Sequence, residues 1–227
     1  MQTLTSNSSV TAAQTTQRTK ILLSCGLIAG PFYILVGLIQ LLIRPGFDMR
    51  VNALSQMALG ELGWIQTANF VVSGLLVIAA AVGIRQTLRS RPGGTWGPIL
   101  IALYGLGLLG AAIFSADPSY GFPPGSPAGP ATTLSAHGLL HFATSGVGFF
   151  ALIGACFVFA RRFARLKELV WMLYSLLTGL IFLIAFVGTA SGAAISIFIP
   201  ALWLAIFLAW LWLSLLSALL MRTRPCS

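Results

Sequence analysis

The sequence predicts an all-α membrane protein: a bundle of six transmembrane helices with both termini cytoplasmic and a short interfacial helix in the first external loop. Of its 227 residues, 57% are hydrophobic and only 7% are charged, whereas soluble domains carry roughly 25% charged residues. Six apolar runs are each long enough to cross a hydrocarbon core of about 30 Å, and basic residues cluster in alternate loops. This composition excludes soluble enzymes and nucleic-acid-binding modules, and it makes the lipid bilayer the first partner.

The chain divides into a single six-helix transmembrane domain, residues 21–221, between two short cytoplasmic segments. Residues 1–20 are rich in Ser, Thr and Gln and predict a disordered tail, while residues 222–227 form a short C-terminus. The first apolar run is too long for the core of a signal peptide, so we expect it to be retained as a span. The six predicted spans are residues 21–43, 64–84, 96–114, 138–160, 169–188 and 195–220.

Orientation follows from the basic residues that flank these spans. Cytoplasmic loops retain Lys and Arg close to the ends of membrane spans. Eleven of the 13 basic residues lie in the N-terminal tail, the second and fourth loops and the C-terminus, against two, Arg44 and Arg50, on the other side. Both termini are therefore expected to be cytoplasmic.

Small residues recur in the spans at spacings typical of helix packing. Gly26 with Gly30, Gly188 with Gly192, and a glycine cluster at 105, 107 and 110 would let helix backbones approach closely. We expect these contacts to form within the bundle.

The first external loop starts with helix-breaking residues and then resumes a helical pattern. Val51, Leu54, Met57 and Ala58 fall on one side, which predicts a short helix lying on the membrane surface. The polar residues of this segment would point away from lipid, toward water or the mouth of the bundle: Arg50, Asn52, Ser55 and Gln56.

Two arginines in this loop suggest recognition of an anion at the outer face. Arg44 and Arg50 could hold a lipid phosphate or an anionic ligand. The alternative is a local salt bridge to Asp48, with the arginine stems along the membrane surface.

The long third loop leads into a pair of histidines. Ser135 is expected to cap the fourth span, which places His137 in the first helical turn and His141 one turn deeper on the same face. Two imidazoles at this spacing can share a metal ion, and a carboxylate, Asp117 or else Asp48 or Glu61, would complete a three-ligand zinc site. The alternative is a structural pair that hydrogen-bonds Asp117 and loop carbonyl groups.

Polar residues inside two spans point to the same region. Gln66, Asn69 and Ser73 share a face of the second span, and His137 and His141 lie on the fourth with Thr144 and Ser145. Polar groups in a membrane need partners or water. The sequence therefore predicts an outward-facing polar pocket where the two faces meet, or else hydrogen bonds between helices without a ligand.

Several motifs together resemble the bacterial domain-of-unknown-function-998 family. They include Arg44-Pro45-Gly46-Phe47-Asp48, Gly60-Glu61-Leu62-Gly63-Trp64, Asp117-Pro118, Gly121-Phe122-Pro123-Pro124-Gly125 and His137-Gly138-Leu139-Leu140-His141. The resemblance covers nearly the whole chain after residue 20. It implies a multi-pass protein of the bacterial inner membrane and assigns no reaction.

Three functional hypotheses follow. The favoured one is a non-enzymatic protein that binds a small or lipidic ligand in the outer pocket, as a sensor or accessory subunit, without a cofactor. The second is a metal-assisted hydrolase of a lipid-like ester, amide or phosphoester, in which zinc would be held by His137, His141 and Asp117 near Ser55. It is similar in residue types to membrane hydrolases of the alkaline-ceramidase kind but lacks their third histidine. A secondary transporter is the third.

Overall fold

The computed structural model describes residues 2–131 and 133–222, with side chains described from residue 16 onward. Regular secondary structure in this part of the chain is helical, and six helices are long and apolar enough to cross a membrane. Each of them contains one predicted span to within one residue, so the six predicted helices are confirmed. The helices are Gln2–Ile43 (α1), Gly63–Thr87 (α2), Trp96–Ile113 (α3), Ala136–Arg165 (α4), Leu169–Ala190 (α5) and Ile195–Arg222 (α6).

The helices form a closed ring. Each packs against its neighbours in the sequence, and α6 returns to pack against α1. Successive helices therefore run in alternate directions, which brings residues 44–62, 114–135 and 191–194 to one end of the bundle. We call this the outer end and the opposite one the inner end. Large apolar side chains on the outside of the ring are exposed, as expected of a surface that faces lipid.

Glycines set the close approach between helices, as predicted. A Cβ atom on Gly30 of α1 would lie 2.7 Å from the carbonyl oxygen of Trp210 on α6, and one on Gly107 of α3 would lie 2.7 Å from the Cα of Gly148 on α4. These glycines pack within the bundle and leave no room for a side chain. Gly192 does not: it lies in the turn after α5 with a φ of +70°.

The two long outer loops pack on each other and on α6. Phe122 of the third loop, the second of the two outer loops, is only 1% exposed, and its ring meets that of Phe47 edge to face with centroids 5.0 Å apart. Phe47 in turn contacts Trp203 of α6, whose indole nitrogen donates a hydrogen bond of 3.1 Å to the Asn52 carbonyl oxygen. Both loops are thereby fixed over the outer end of the ring.

The short helix in the first loop does not lie on a lipid surface. A 3₁₀ helix spans Leu54–Ala58, but Leu54 and Met57 are 2% and 0% exposed and belong to the hydrophobic core. Asn52 and Gln56, expected to face water or the mouth of the bundle, are also buried within the protein. The prediction of lipid contact is wrong because the third loop covers this segment, so that both of its faces meet protein.

Residues 2–20, expected to be a disordered tail, are helical as the first part of α1, and the cytoplasmic location of both terminal segments stays a prediction. Most of the expected tail lies outside the residues whose side chains are described, and residues 223–227 lie outside the described chain. Close to the membrane span, Thr19 is buried and its hydroxyl donates a 2.7 Å hydrogen bond to Gln86 of α2.

Candidate functional site

A cavity of about 540 Å³ occupies the centre of the ring at its outer end. This volume lies within the range of roughly 300 to 1,000 Å³ that is typical of small-molecule sites. Its walls come from all six helices and both long loops, and most of the lining side chains are apolar, for example Phe70, Leu108, Phe186 and Ile206. We call it the outer cavity.

The outer cavity extends to about the middle of the bundle. Tyr33 and Tyr104 line its deep part; Tyr33 lies ten residues before the end of α1 at Ile43, or roughly 15 Å at the rise of an α-helix. This is about half of the hydrocarbon thickness of a bilayer. At the deep end of the cavity, the rings of Tyr33 and Trp210 stack with centroids 4.5 Å apart.

Polar groups line the outer part of the cavity, where the loops cover it. Ser55, Gln56 and Ser119 contribute to the lining, and the Gln56 amide nitrogen donates a 2.8 Å hydrogen bond to the Ser119 hydroxyl. This contact joins the first outer loop to the second. Of the catalytic candidates, Ser55, Asp117 and His141 line the cavity.

Asp117 lies at the N-terminus of α4. Its Oδ2 accepts a 3.0 Å hydrogen bond from the Ser135 amide, and a Cβ on Gly138 would collide with the same carboxylate. The Ser135 hydroxyl accepts from the Gly138 amide at 2.9 Å, which confirms the predicted N-cap. A carboxylate here is stabilised by the unpaired amide groups and by the positive end of the helix dipole.

His141 is the histidine that belongs to the cavity. It is 7% exposed, and its Nδ1 lies 2.8 Å from the carbonyl oxygen of Phe114 at the end of α3. Because a carbonyl group can only accept, Nδ1 carries the hydrogen. The other ring nitrogen, Nε2, is then the one available to a ligand.

His137 does not face the interior, and this part of the prediction is wrong. Its side chain is exposed, and the ring meets Phe114 edge to face with centroids 5.8 Å apart. His137 is the second residue of α4 and lies outside the protein surface that surrounds His141, one turn deeper in the bundle. Within the described residues no three His, Cys, Asp or Glu side chains are grouped to hold a metal ion, so His137, His141 and Asp117 do not form the zinc site considered from the sequence.

The polar face of α2 is buried, but it meets α1 and not α4. Gln40 of α1 donates a 2.7 Å hydrogen bond to the side-chain oxygen of Gln66. The Asn69 amide donates to the Tyr33 carbonyl oxygen at 3.2 Å, and the Ser73 hydroxyl donates to Asn69. The expectation that the polar faces of α2 and α4 meet is therefore wrong; the α2 residues hold two helices together outside the cavity lining.

The two outer arginines have different surroundings, and neither lines the outer cavity. Arg50 forms an exposed 2.7 Å salt bridge with Asp48, and its hydrogen bonds hold the pKa of Asp48 below the usual value. Arg44 is 7% exposed; it donates to the Leu59 carbonyl oxygen and lies 5.1 Å from the centre of the Phe122 ring. Burial lowers the pKa of Arg44, because desolvation disfavours the charged form.

The sequence did not single out the aromatic residues that shape the cavity. Tyr33, Tyr104 and Trp203 each line it, and Trp203 also binds the first outer loop. In the sequence they are aromatic residues within apolar runs, which is equally typical of lipid-facing positions. Their only distinguishing signal is a polar atom deep in a span, which requires a partner inside the protein.

The fold and the cavity define a class: a multi-pass helical membrane protein with a ligand-sized cavity at one end of its bundle. The chain belongs to the family described as protein of unknown function, DUF998, which it matches over residues 27–221. This confirms the resemblance drawn from the motifs. No curated protein and no solved structure matches the chain.

Proposed function

We propose that this protein binds a small single-chain amphipathic molecule in the outer cavity and does so without catalysing a reaction. The observation that carries the proposal is the division of the cavity: largely apolar walls, with the tyrosines Tyr33 and Tyr104 at their deep end, reach roughly 15 Å into the bundle. Ser55, Gln56, Ser119 and Asp117 line the cavity beneath the outer loops. An acyl chain fits the first part and a small head group the second. A sensor or an accessory subunit would use such a site.

The lining groups favour a head group without negative charge. No lysine or arginine lines the cavity in the described part of the chain, and Asp117 is its carboxylate. Ser55, Gln56 and His141 offer hydrogen bonds. A neutral, hydroxyl-bearing head group such as glycerol matches this set.

Access from the surrounding lipid is supported by three apolar residues. Leu134, Leu139 and Phe142 line the cavity, and each side chain is also more than half exposed on the outer surface. Leu134 lies just before α4 and the other two lie in its first two turns, so the opening faces the outer part of the membrane region. A lipid-like molecule could enter here without crossing water.

Binding of tritiated monolaurin, a neutral single-chain lipid, to the protein in nanodiscs tests the proposal. Ser145→Trp should fill the cavity, because Ser145 lines it. Val147→Trp is the matched control: it places the same side chain on the same helix, where Val147 is 54% exposed on the lipid-facing side.

We expect saturable binding to wild type and to Val147→Trp, and a loss of tenfold or more in Ser145→Trp. Binding to wild type that does not exceed the background of empty nanodiscs would refute the proposal. Equal binding by the two tryptophan variants would place the ligand outside the cavity.

The proposal places the chain in the bacterial inner membrane with both termini cytoplasmic and the outer cavity facing away from the cytoplasm. The support is the distribution of charge, since 11 of 13 basic residues lie at the inner end or in its adjoining segments. Reporter fusions at Arg91 and Arg224 should indicate cytoplasm, and a fusion within residues 121–125 the opposite side. A cytoplasmic signal from residues 121–125 would overturn this orientation.

A further inference from the structure

A second pocket lies at the inner end, between the α2–α3 loop and the end of α4. It has a volume of about 500 Å³, and four arginines line it together with Trp96 and backbone of the loop. None of the described lining residues is acidic. The arginines are Arg91, Arg161, Arg162 and Arg165.

Arg162 is the residue whose surroundings favour the binding of an anion. It is 7% exposed, and its Nη1 donates a 2.6 Å hydrogen bond to the Pro92 carbonyl oxygen. Its Nε is buried and has no hydrogen-bond partner in the structure. Arg91 lies close enough for the two positive charges to repel each other. A buried cation with an unpaired N–H is costly unless an anion compensates it.

The pocket is preorganised by its loop. Arg85 of α2 donates a 2.7 Å hydrogen bond to the Gly94 carbonyl oxygen, and the Gly94 amide donates to the Arg91 carbonyl oxygen at 3.0 Å. Gly93 has a φ of +76°, a conformation that few other residues adopt without strain. The loop backbone is thereby held against Arg162 before any ligand arrives.

We propose that this pocket binds a phosphate group, as carried by an anionic phospholipid head group or by a soluble phosphate ester. Guanidinium groups match phosphate oxygens in geometry and charge, and basic pockets between helices at the membrane surface are typical sites for phospholipid head groups. Trp96 at the start of α3 is 66% exposed, as expected at the level of the head groups. Arginines that only orient a membrane protein need not converge on one concave pocket.

The test compares two double variants of the full chain that lose the same charge. Arg161→Gln with Arg165→Gln removes two exposed arginines from the pocket, and Arg162 is retained to protect folding. Lys20→Gln with Arg222→Gln removes two exposed basic residues of the inner end that do not line it. Native mass spectrometry of the delipidated proteins measures binding of phosphatidylglycerol, with phosphatidylcholine as the zwitterionic reference.

We expect wild type and the control variant to bind phosphatidylglycerol with similar affinity, and the pocket variant to bind roughly 30-fold more weakly, from the usual contribution of each basic residue. Displacement of the lipid by glycerol 3-phosphate would identify a soluble ester as the ligand source; resistance to displacement would identify the lipid. Equal weakening in both variants, or no preference of wild type over phosphatidylcholine, would overturn the proposal.

Discussion

Replacing Gly107 by alanine tests whether the contact between α3 and α4 sets the geometry of the bundle. The new Cβ would lie 2.7 Å from the Cα of Gly148 and 3.1 Å from the carbonyl oxygen of Thr144. Carbon atoms in contact prefer separations of about 3.5 to 4.0 Å, so the helices would have to move apart by about 1 Å. Both contacting atoms belong to the backbone, and no change of side-chain rotamer can relieve the collision.

The expected loss in the free energy of unfolding is about 1 to 3 kcal/mol, the usual cost of overpacking a well-packed interior. Gly146→Ala on α4 is the matched control, because a Cβ there would meet Phe186 at an ordinary 3.6 Å. Both changes alter helix propensity in the same way, so the difference between the variants isolates the collision. Unfolding by SDS in mixed micelles, followed by tryptophan fluorescence, provides the measurement. Equal stability of the two variants would refute the close contact.

Two further predictions concern the outer end. Phe122→Ala should destabilise the outer loops by about 3 to 5 kcal/mol, the usual cost of removing a buried aromatic ring, and should raise hydrogen exchange in residues 114–131. The control Leu42→Ala, at a position 86% exposed, should leave exchange in these residues unchanged. Similar exchange in both variants would contradict the packing of Phe122. Protein purified without chelators should hold no stoichiometric zinc, because Asp117 and His141 lack a third ligand. Elemental analysis measures the zinc content. One zinc per chain in wild type that is lost in His141→Ala would restore the hydrolase hypothesis.

The six spans could be predicted because length and hydropathy suffice for a helix that crosses a membrane. The direction of a polar helix face could not. Periodicity assigns Gln66 and Asn69 to one face of α2, but either neighbour in the ring can meet that face, and here it is α1 through Gln40. The choice depends on how each helix is rotated in the bundle, which the spacing of residues does not specify.

The prediction that the short helix of the first outer loop lies on the membrane surface was wrong for a related reason. An apolar stripe has the same sequence pattern whether it lies on lipid or on protein, and Met57 is fully buried in the core. The two histidines show the same limit. The N-cap at Ser135 was predicted correctly, because it depends on local chemistry. The sequence did not show where the protein surface passes between His137 and His141, because that boundary is formed by residues distant in the chain.

The negative charge of Asp117 allows a quantitative prediction about the charge of the bound head group, which the apolar cavity walls do not. For a carboxylate ligand roughly 8 Å from Asp117, at an effective dielectric constant of about 20, repulsion is roughly 2 kcal/mol, and the positive end of α4 offsets part of it. Monolaurin should therefore bind about tenfold more tightly than laurate, measured at alkaline pH where laurate is ionised. Asp117→Asn keeps an acceptor for the Ser135 amide and removes the charge, so it should abolish most of this preference. A preference that survives the substitution would mean that the head group does not lie beside Asp117.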